Sequence, residues 1–165
     1  GAFSSAQSPE LLAESLIAST DVEISYIGNW KGYEPVSKLR GQNIRLLNSM
    51  QYDEYIKYLG KNADISFISL KGDYFGACIP SKLYEMINLG LPILASLPEG
   101  DAKEIINTNG YGIAVGNNAE DIRRAFLLMN NAEVLAQFRT KMINDKEKWS
   151  FSKNFEQACE WINTL

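Results

Sequence analysis

The stretch CIPSKLYEMINLGLPILA, from Cys78 to Ala95, decides the fold that we predict for this chain. Pro80 suits the first position of a helix, where its missing N–H costs nothing, and Gly90 followed by Pro92 ends that helix. The apolar run after Pro92 is typical of a buried strand. The stretch therefore predicts a loop, a short helix and a buried strand in direct succession.

The start of this predicted helix carries a hydroxyl, an ammonium group and a carboxylate. Ser81, Lys82 and Glu85 share one side of the helix, away from its apolar side. The N–H groups and dipole of a helix start favour an anion, and Lys82 adds positive charge, although the same residues also suit simple capping. Glu85 suits the vicinal hydroxyls of a ribose, or equally an ion pair with Lys82. The residues alone leave these alternatives open.

Helical and strand patterns alternate along the rest of the chain. We predict strands at 22–28, 43–47, 64–70, 92–95 and 112–115, and helices at 9–19, 34–40, 52–59, 80–89, 101–107, 118–129, 133–148 and 152–164. Short apolar strands between helices favour a parallel sheet covered on both faces, which is a doubly wound, Rossmann-like α/β fold. Such units commonly open on a strand, whereas this chain opens on a helix. We therefore expect a fragment that has lost an upstream strand.

The last helices are predicted from apolar stripes. Asn118 and Asp121 resemble a capping box, and four apolar residues follow at helical spacing: Ile122, Ala125, Phe126 and Met129. The final helix shows a comparable stripe, formed by Phe155, Ala158, Cys159 and Ile162. Both stripes predict an apolar helix face.

The composition indicates one globular domain, residues 1–165, because 45% hydrophobic residues suffice for a sizeable core. The net charge of −4 comes from 16 basic and 20 acidic residues without a basic stripe, which argues against nucleic-acid binding. No apolar run approaches the roughly 20 residues that span a bilayer. We expect a cytoplasmic protein.

Histidine and cysteine usage narrows the chemistry. The sequence contains no histidine, which excludes histidine-based nucleophile systems and most zinc sites. Cys78 and Cys159 are far apart in sequence, so we interpret them as small hydrophobic residues in a reducing compartment. We predict that the three tryptophans pack against other side chains rather than stack on a ligand: Trp30, Trp149 and Trp161. The loop 73–77 is predicted to be a structural turn.

From Ile79 to Ala95 the sequence resembles the donor-binding region of bacterial family-four glycosyltransferases, which have the GT-B fold. That family shows a proline-serine-lysine start, a helix with an acidic residue, then glycine, a variable residue, proline and an apolar strand, and this chain has each part. The resemblance extends to 100–113 and to the strand and loop segments from Tyr26 onward. It implies the C-terminal lobe of a two-lobed retaining enzyme of surface polysaccharide synthesis.

The resemblance also implies a role for particular residues. Glu85 would hold the ribose hydroxyls, and the helix start would hold the diphosphate of a nucleotide-sugar donor without a metal or other cofactor. The segment Asn48–Met50 would contact the base, and Gly28 would face the cleft. The implied donor-binding residues are Gly28, Asn48, Ser49, Met50, Ile79, Pro80, Ser81, Lys82, Leu83 and Glu85. The resemblance leaves catalytic residues unassigned and leaves room for peripheral association of the full-length enzyme with the inner membrane.

One departure from the family concerns the donor sugar. The family places a first glutamate eight residues before the second, and Ala77 occupies that position here. The acceptor-binding N-terminal lobe is also missing, so we expect this chain alone to bind a donor without transferring its sugar.

The alternatives are a nucleotide-sensing module without transfer activity and a flavodoxin-like receiver domain, although no acidic phosphoacceptor cluster follows the strands.

Overall fold

A computed structural model describes residues 3–72 and 78–163, and the loop 73–77 therefore lies outside the described residues together with Ala77. The helices in this part of the chain are α1 (Glu10–Leu16), α2 (Glu34–Ser37), α3 (Tyr52–Asn62), α4 (Ser81–Leu89), α5 (Asp101–Asn109), α6 (Ala119–Met129), α7 (Ala132–Asp145) and α8 (Phe151–Asn163). The strands are β1 (Ile24–Ile27), β2 (Ile44–Leu47), β3 (Ser66–Ser69), β4 (Ile93–Ser96) and β5 (Gly112–Val115). Single 3₁₀ turns lie at Trp30–Gly32 and Lys146–Trp149.

All strand pairs in the described chain are parallel, which confirms the predicted α/β class. β1 pairs with β2, from Ile24 opposite Ile44 to Ile27 opposite Leu47. β4 lies between β3 and β5 in a second sheet. The strands thus form two ladders, where the sequence analysis expected one sheet.

Two apolar clusters cover the two faces of the strands. The α4 cluster includes Leu83, Met86, Ile87, Ile93, Ala95 and Tyr111. The α6 cluster includes Ile24, Tyr26, Leu94, Ile122, Phe126 and Met129. Every residue of β4 is buried, and its alternate side chains enter different clusters because successive side chains of a strand point to opposite faces. Helices therefore lie on both sides of β4.

The deciding stretch folds nearly as predicted. Pro80 is the N-cap of α4, with φ −62° and ψ 130°, so the helix begins one residue later than expected, at Ser81. Gly90 ends it in the left-handed conformation, with φ 64°. The Leu91 N–H donates to the Met86 carbonyl at 3.0 Å, as in a helix end closed by glycine.

Other helix boundaries differ from the sequence prediction at particular residues. Gly60 lies inside α3, which continues to Asn62 instead of ending before the glycine. α1 begins at Glu10, with Pro9 as its N-cap, and ends at Leu16 rather than at residue 19. Asn118 caps α6 as predicted, since its side chain accepts from the Asp121 N–H at 2.9 Å.

The two predicted apolar stripes have different surroundings. The four stripe residues of α6 are all buried. On α8, by contrast, Phe155 and Ile162 are 59% and 61% exposed, and Trp161 is 64% exposed, so none of these three side chains belongs to a buried core. Cys78 is exposed as well, which does not fit its interpretation as a small hydrophobic residue of the interior. In the described part of the chain, no helix is long and apolar enough to cross a membrane.

Trp149 packs as predicted. Its ring lies 5.6 Å from that of Tyr84 on α4, and its Nε1–H donates to the Tyr111 hydroxyl at 2.7 Å. That hydroxyl donates to Asp145 at 2.7 Å. The network attaches the end of α7 to the α4 cluster, because the Tyr111 side chain is completely buried there.

Candidate functional site

The carboxyl ends of the strands position the residues that the sequence analysis singled out. Gly28 directly follows β1, and Asn48–Met50 follow β2. These two segments lie at the same edge, because Ile27 pairs with Leu47 at the parallel strand ends. In open parallel sheets, ligands bind outside the carboxyl ends of the strands.

The start of α4 holds a compact charged cluster, which we call the Lys82 cluster: Tyr55, Lys82 and Glu85. The Lys82 Nζ lies 3.8 Å from a Glu85 carboxylate oxygen. It also lies 3.4 Å from the Tyr55 hydroxyl and 5.0 Å from the centroid of the Tyr55 ring. The side chains of Lys82 and Glu85 are 35% and 30% exposed. The cluster is therefore partly shielded yet open to a ligand.

Tyr55 is the site residue that sequence reasoning missed. It lies on α3, and its N–H donates to the Gln51 carbonyl at 2.9 Å, directly after the segment Asn48–Met50. The contact with Lys82 therefore joins α4 to the helix that follows β2. Nothing in the sequence around Tyr55 distinguishes it from other aromatic residues on a helix, so no signal was there to find.

The backbone at the start of α4 offers a limited number of donors. No side chain caps the helix, and Pro80 has no N–H. The Leu83 N–H donates to the Pro80 carbonyl at 2.9 Å, and the Leu83 side chain is fully buried. The N–H groups of Ser81 and Lys82 are the donors left for a ligand, because the first N–H groups of a helix have no acceptor within it. An anion at this helix start would meet those two groups.

The other implied donor-binding residues differ in their surroundings. Ile79 and Pro80 are partly buried, and Ile79 packs against the α4 cluster. Asn48, Ser49 and Ser81 are exposed. Gly28 is buried with φ 141°, a conformation that favours glycine. Within residues 3–72 and 78–163, no hydrogen bond or ion pair links Gly28 or Asn48–Met50 to the Lys82 cluster.

Two hollows lie away from the Lys82 cluster. One of about 310 Å³ lies at the start of α5, where Lys103 forms an ion pair with Glu99 at 2.5 Å. Asn107 also lines it, but its side chain is engaged with the backbone of Ala114 at 2.8 and 3.0 Å. The other, of about 390 Å³, lies beside β2 and is lined by Trp30 and Arg40. Sequence reasoning predicted neither.

No protein-family model and no curated protein matches this chain. The class that the fold and the site define is an α/β protein with parallel strands and a lysine–glutamate pair at a helix start. Among the residues that the structure describes, no group of three or more His, Cys, Asp and Glu side chains is arranged to hold a metal ion.

Proposed function

We propose that this chain is the donor-binding domain of a retaining glycosyltransferase and that the start of α4 binds the diphosphate and ribose of a nucleotide sugar. The observation that carries the proposal is the Lys82 cluster, where an ammonium group and a carboxylate lie 3.8 Å apart at a helix start. The proposal includes a doubly wound, Rossmann-like fold that forms one lobe of a GT-B enzyme. Parallel strands between two helical layers support that fold.

The diphosphate would bind at the N–H groups of Ser81 and Lys82. Helix dipoles place partial positive charge at this end, and the Lys82 ammonium adds a full charge. Fixed donors of this kind also stabilise negative charge that develops on a leaving diphosphate. The chain's own groups would thus act on the leaving group in place of a metal.

Glu85 would accept hydrogen bonds from the ribose hydroxyls. Its 3.8 Å separation from Lys82 exceeds the roughly 2.7–2.9 Å of a charge-assisted hydrogen bond. The two groups therefore share no short hydrogen bond, and each can bind a separate part of a nucleotide. The remaining implied contacts, to the base from Asn48–Met50 and to the cleft from Gly28, belong to the same proposal.

The isolated domain would bind the donor without transferring its sugar. Transfer needs the acceptor-binding lobe, and Ala77 stands where a family glutamate would contact the sugar. The proposed setting is the cytoplasm, where nucleotide sugars would reach the site. If the protein were instead a nucleotide sensor, the same residues would bind the nucleotide and no upstream lobe would be needed for its activity.

Titration calorimetry with UDP, GDP and dTDP tests the proposal. We expect at least one of these nucleotides to bind, and Glu85→Gln to weaken that binding by about 1–3 kcal/mol, the range for losing a charged hydrogen-bonding partner. Asp64→Asn is the matched control. Asp64 lies just before β3, at the opposite strand end, and pairs with Arg139 at 3.4 Å.

The control should leave the affinity unchanged. If all three nucleotides fail to bind to the folded chain, the proposed function is wrong. Equal losses in Glu85→Gln and Asp64→Asn would contradict the assignment of the ribose to Glu85.

A further inference from the structure

The hollow beside β2, which we call the β2 hollow, has the size of a binding pocket. Its volume of about 390 Å³ falls within the roughly 300–1,000 Å³ of ligand pockets. Four apolar side chains line it: Trp30, Leu39, Ile44 and Leu46. All four pack against the α6 cluster, so the walls of the hollow are attached to the core.

The indole of Trp30 brings an unpaired donor to the β2 hollow. Its Nε1 is shielded from solvent and has no hydrogen-bond acceptor among the described residues. A buried N–H without an acceptor costs about 1–3 kcal/mol. An occupant of the hollow that carries an oxygen acceptor would remove this cost.

The charges around the β2 hollow favour an acidic occupant. Four basic residues lie in the lining segments or directly beside them: Lys31, Lys38, Arg40 and Arg45. Lys38 and Arg45 form ion pairs with glutamates, whereas Lys31 and Arg40 form none with the residues that the structure describes. The Lys31 Nζ lies 5.6 Å from the centroid of the Trp30 ring. Two cations at the hollow are therefore available to carboxylates.

Arg40 is held in place at the hollow by the backbone. Its Nη1 donates to the carbonyls of Ser37 and Leu39 at 2.9 and 2.7 Å. Its Nε and Nη2 have no partner within residues 3–72 and 78–163. Because a guanidinium offers five N–H donors, Arg40 can keep both backbone bonds and still bind a carboxylate.

The outer edge of β2 offers backbone groups beside the hollow. The carbonyls of Asn43 and Leu47 accept from N–H groups on the β1 side at 2.7 and 3.1 Å. Alternate residues of a parallel strand face the same neighbour, so Ile44 and Leu46 face away from β1. The Ile44 N–H accordingly donates to the Gly41 carbonyl at 3.3 Å. On this side, no strand of the described chain pairs with β2.

We propose that the outer edge of β2 and its hollow bind an extended acidic peptide segment of a partner protein, which adds to β2 as a further strand. Its backbone would pair with the Leu46 N–H and the Ile44 carbonyl. An apolar side chain would fill the hollow, and neighbouring carboxylates would bind Lys31 and Arg40. An oxygen atom of the peptide would accept from Trp30.

A second copy of this chain fits the edge less well than an acidic peptide does. A symmetric pair of β2 edges would bring the same patch of each copy together. The unpaired cations at each hollow would then lie close to those of the other copy, and like charges brought together are unfavourable.

Titration with the peptide acetyl-Glu-Val-Glu-Val-Glu-Val-Glu-amide tests this inference. Alternation along a strand places its valines on one face. We expect saturable binding that slows hydrogen exchange of the Leu46 amide by at least about tenfold. The matched control peptide has lysine in place of every glutamate and should bind at least about tenfold more weakly.

Two N-methylated peptides test whether the backbone of the peptide pairs with β2. One is methylated at its valines and the other at its glutamates. Since alternate N–H groups of a strand point to opposite sides, only one of the two sets faces β2. We expect one methylated peptide to bind at least about tenfold more weakly than the parent and the other to bind comparably.

The variant Trp30→Phe tests the unpaired donor, because it keeps an aromatic ring and removes Nε1. The peptide affinity should fall at least about fivefold, as expected for one lost hydrogen bond. Trp149→Phe is the matched control, since the Trp149 Nε1–H donates to Tyr111 at 2.7 Å. The control should keep the peptide affinity and lower the unfolding temperature more than Trp30→Phe does.

The inference is overturned if the acidic peptide does not bind to the folded chain, or if it binds without slowing exchange at Leu46. Equal binding of the lysine peptide, or undiminished binding of both methylated peptides, overturns it as well. So does self-association that protects the Leu46 amide, which light scattering at increasing concentration would reveal. Saturating UDP, GDP or dTDP should leave the peptide affinity unchanged, so this test is independent of the nucleotide site.

Discussion

Lys82 is the residue on which the candidate site depends. Its place beside Glu85 follows from helical spacing and was predictable, because residues three apart share a helix side. Its contact with Tyr55 was not predictable from the sequence, because that contact depends on how α3 packs beside α4. Sequence thus predicted the charges of the site, and tertiary packing determined the aromatic residue that positions them.

Replacing Lys82 tests the phosphate assignment separately from the ribose. Lys82→Met keeps the aliphatic length but removes the charge, so we expect weaker binding of a nucleoside diphosphate and little change for the matching nucleoside. The affinity of the unmodified chain should fall with added salt more steeply than that of the variant, because salt screens the ammonium. Fluorescence titration at two ionic strengths measures both effects.

Arg139→Met is the control for this prediction, because Arg139 pairs with Asp64 at the opposite strand end. Equal losses for the nucleoside and its diphosphate in Lys82→Met would contradict a phosphate contact.

The Tyr111 hydroxyl should make the stability of the fold depend on pH above pH 10. Burial raises the pKa of its hydroxyl from 10.0 to about 12. Since the folded chain holds this proton more tightly, the contribution to stability is complete below pH 10 and is lost as the pH rises towards 12. Urea unfolding should therefore show a falling free energy of unfolding across this interval, and a smaller fall in Tyr111→Phe.

Tyr26 also has a raised pKa because of burial, so part of the fall should remain in that variant. An equally steep fall in Tyr111→Phe would contradict the role of the Tyr111 hydroxyl. At neutral pH the variant should already be less stable by about 1–3 kcal/mol, because Trp149 loses its acceptor.

At the scale of elements, glycine shows where sequence rules succeed and fail. Gly90 ends α4 as predicted, because it adopts a left-handed conformation and proline follows soon after. Gly60 was expected to end α3, yet the helix continues past it, because packing of the helix outweighs the cost of one glycine of about 1 kcal/mol. Only the backbone conformation distinguishes the two.

Alanine at these two positions should have opposite effects. Gly90→Ala should destabilise the fold by about 1–2 kcal/mol, because a side chain is strained at φ 64°. Gly60→Ala should stabilise it by about 0.5–1 kcal/mol, since an added Cβ meets nothing within 4 Å. Thermal and urea unfolding measure both changes. A stabilising Gly90→Ala would show that the helix end is not fixed as described.

The helices α6 and α8 show a limit of pattern reading. Both carry an apolar stripe, but Phe126 is buried, whereas Phe155 is 59% exposed. A stripe predicts an amphipathic helix and does not say what covers it. The order of elements was therefore predictable from the sequence. Whether the apolar face of α8 is buried was not.

For the whole molecule, alternation predicted parallel strands between helices but not the break between the two ladders. Strand patterns carry no information on which strands are neighbours, so the division of the described strands into two ladders is visible only in the structure.

Hydrogen exchange should reflect the division of the strands into two ladders. The Ala95 amide lies in the centre of the fully buried β4 and should exchange only through global unfolding. The Ile24 and Gly28 N–H groups donate to the β2 side, so the alternation of a parallel ladder directs the Ser25 N–H away from β2, and it should exchange at least about a thousandfold faster. Mass spectrometry with peptide resolution, or NMR, measures the ratio. Comparable protection at the two amides would contradict a Ser25 amide that lies outside the described ladders.

The most direct test of the account is an NMR titration with a nucleoside diphosphate that follows the backbone amides. We predict that the largest saturable shifts occur at Ser81 and Lys82, with smaller ones at Glu85 and Tyr55, and that Glu85→Gln shifts the midpoint to higher concentration. Shifts that centre elsewhere, for example on the hollow at the start of α5, or no saturable shift in the folded chain, would contradict a nucleotide site at the start of α4.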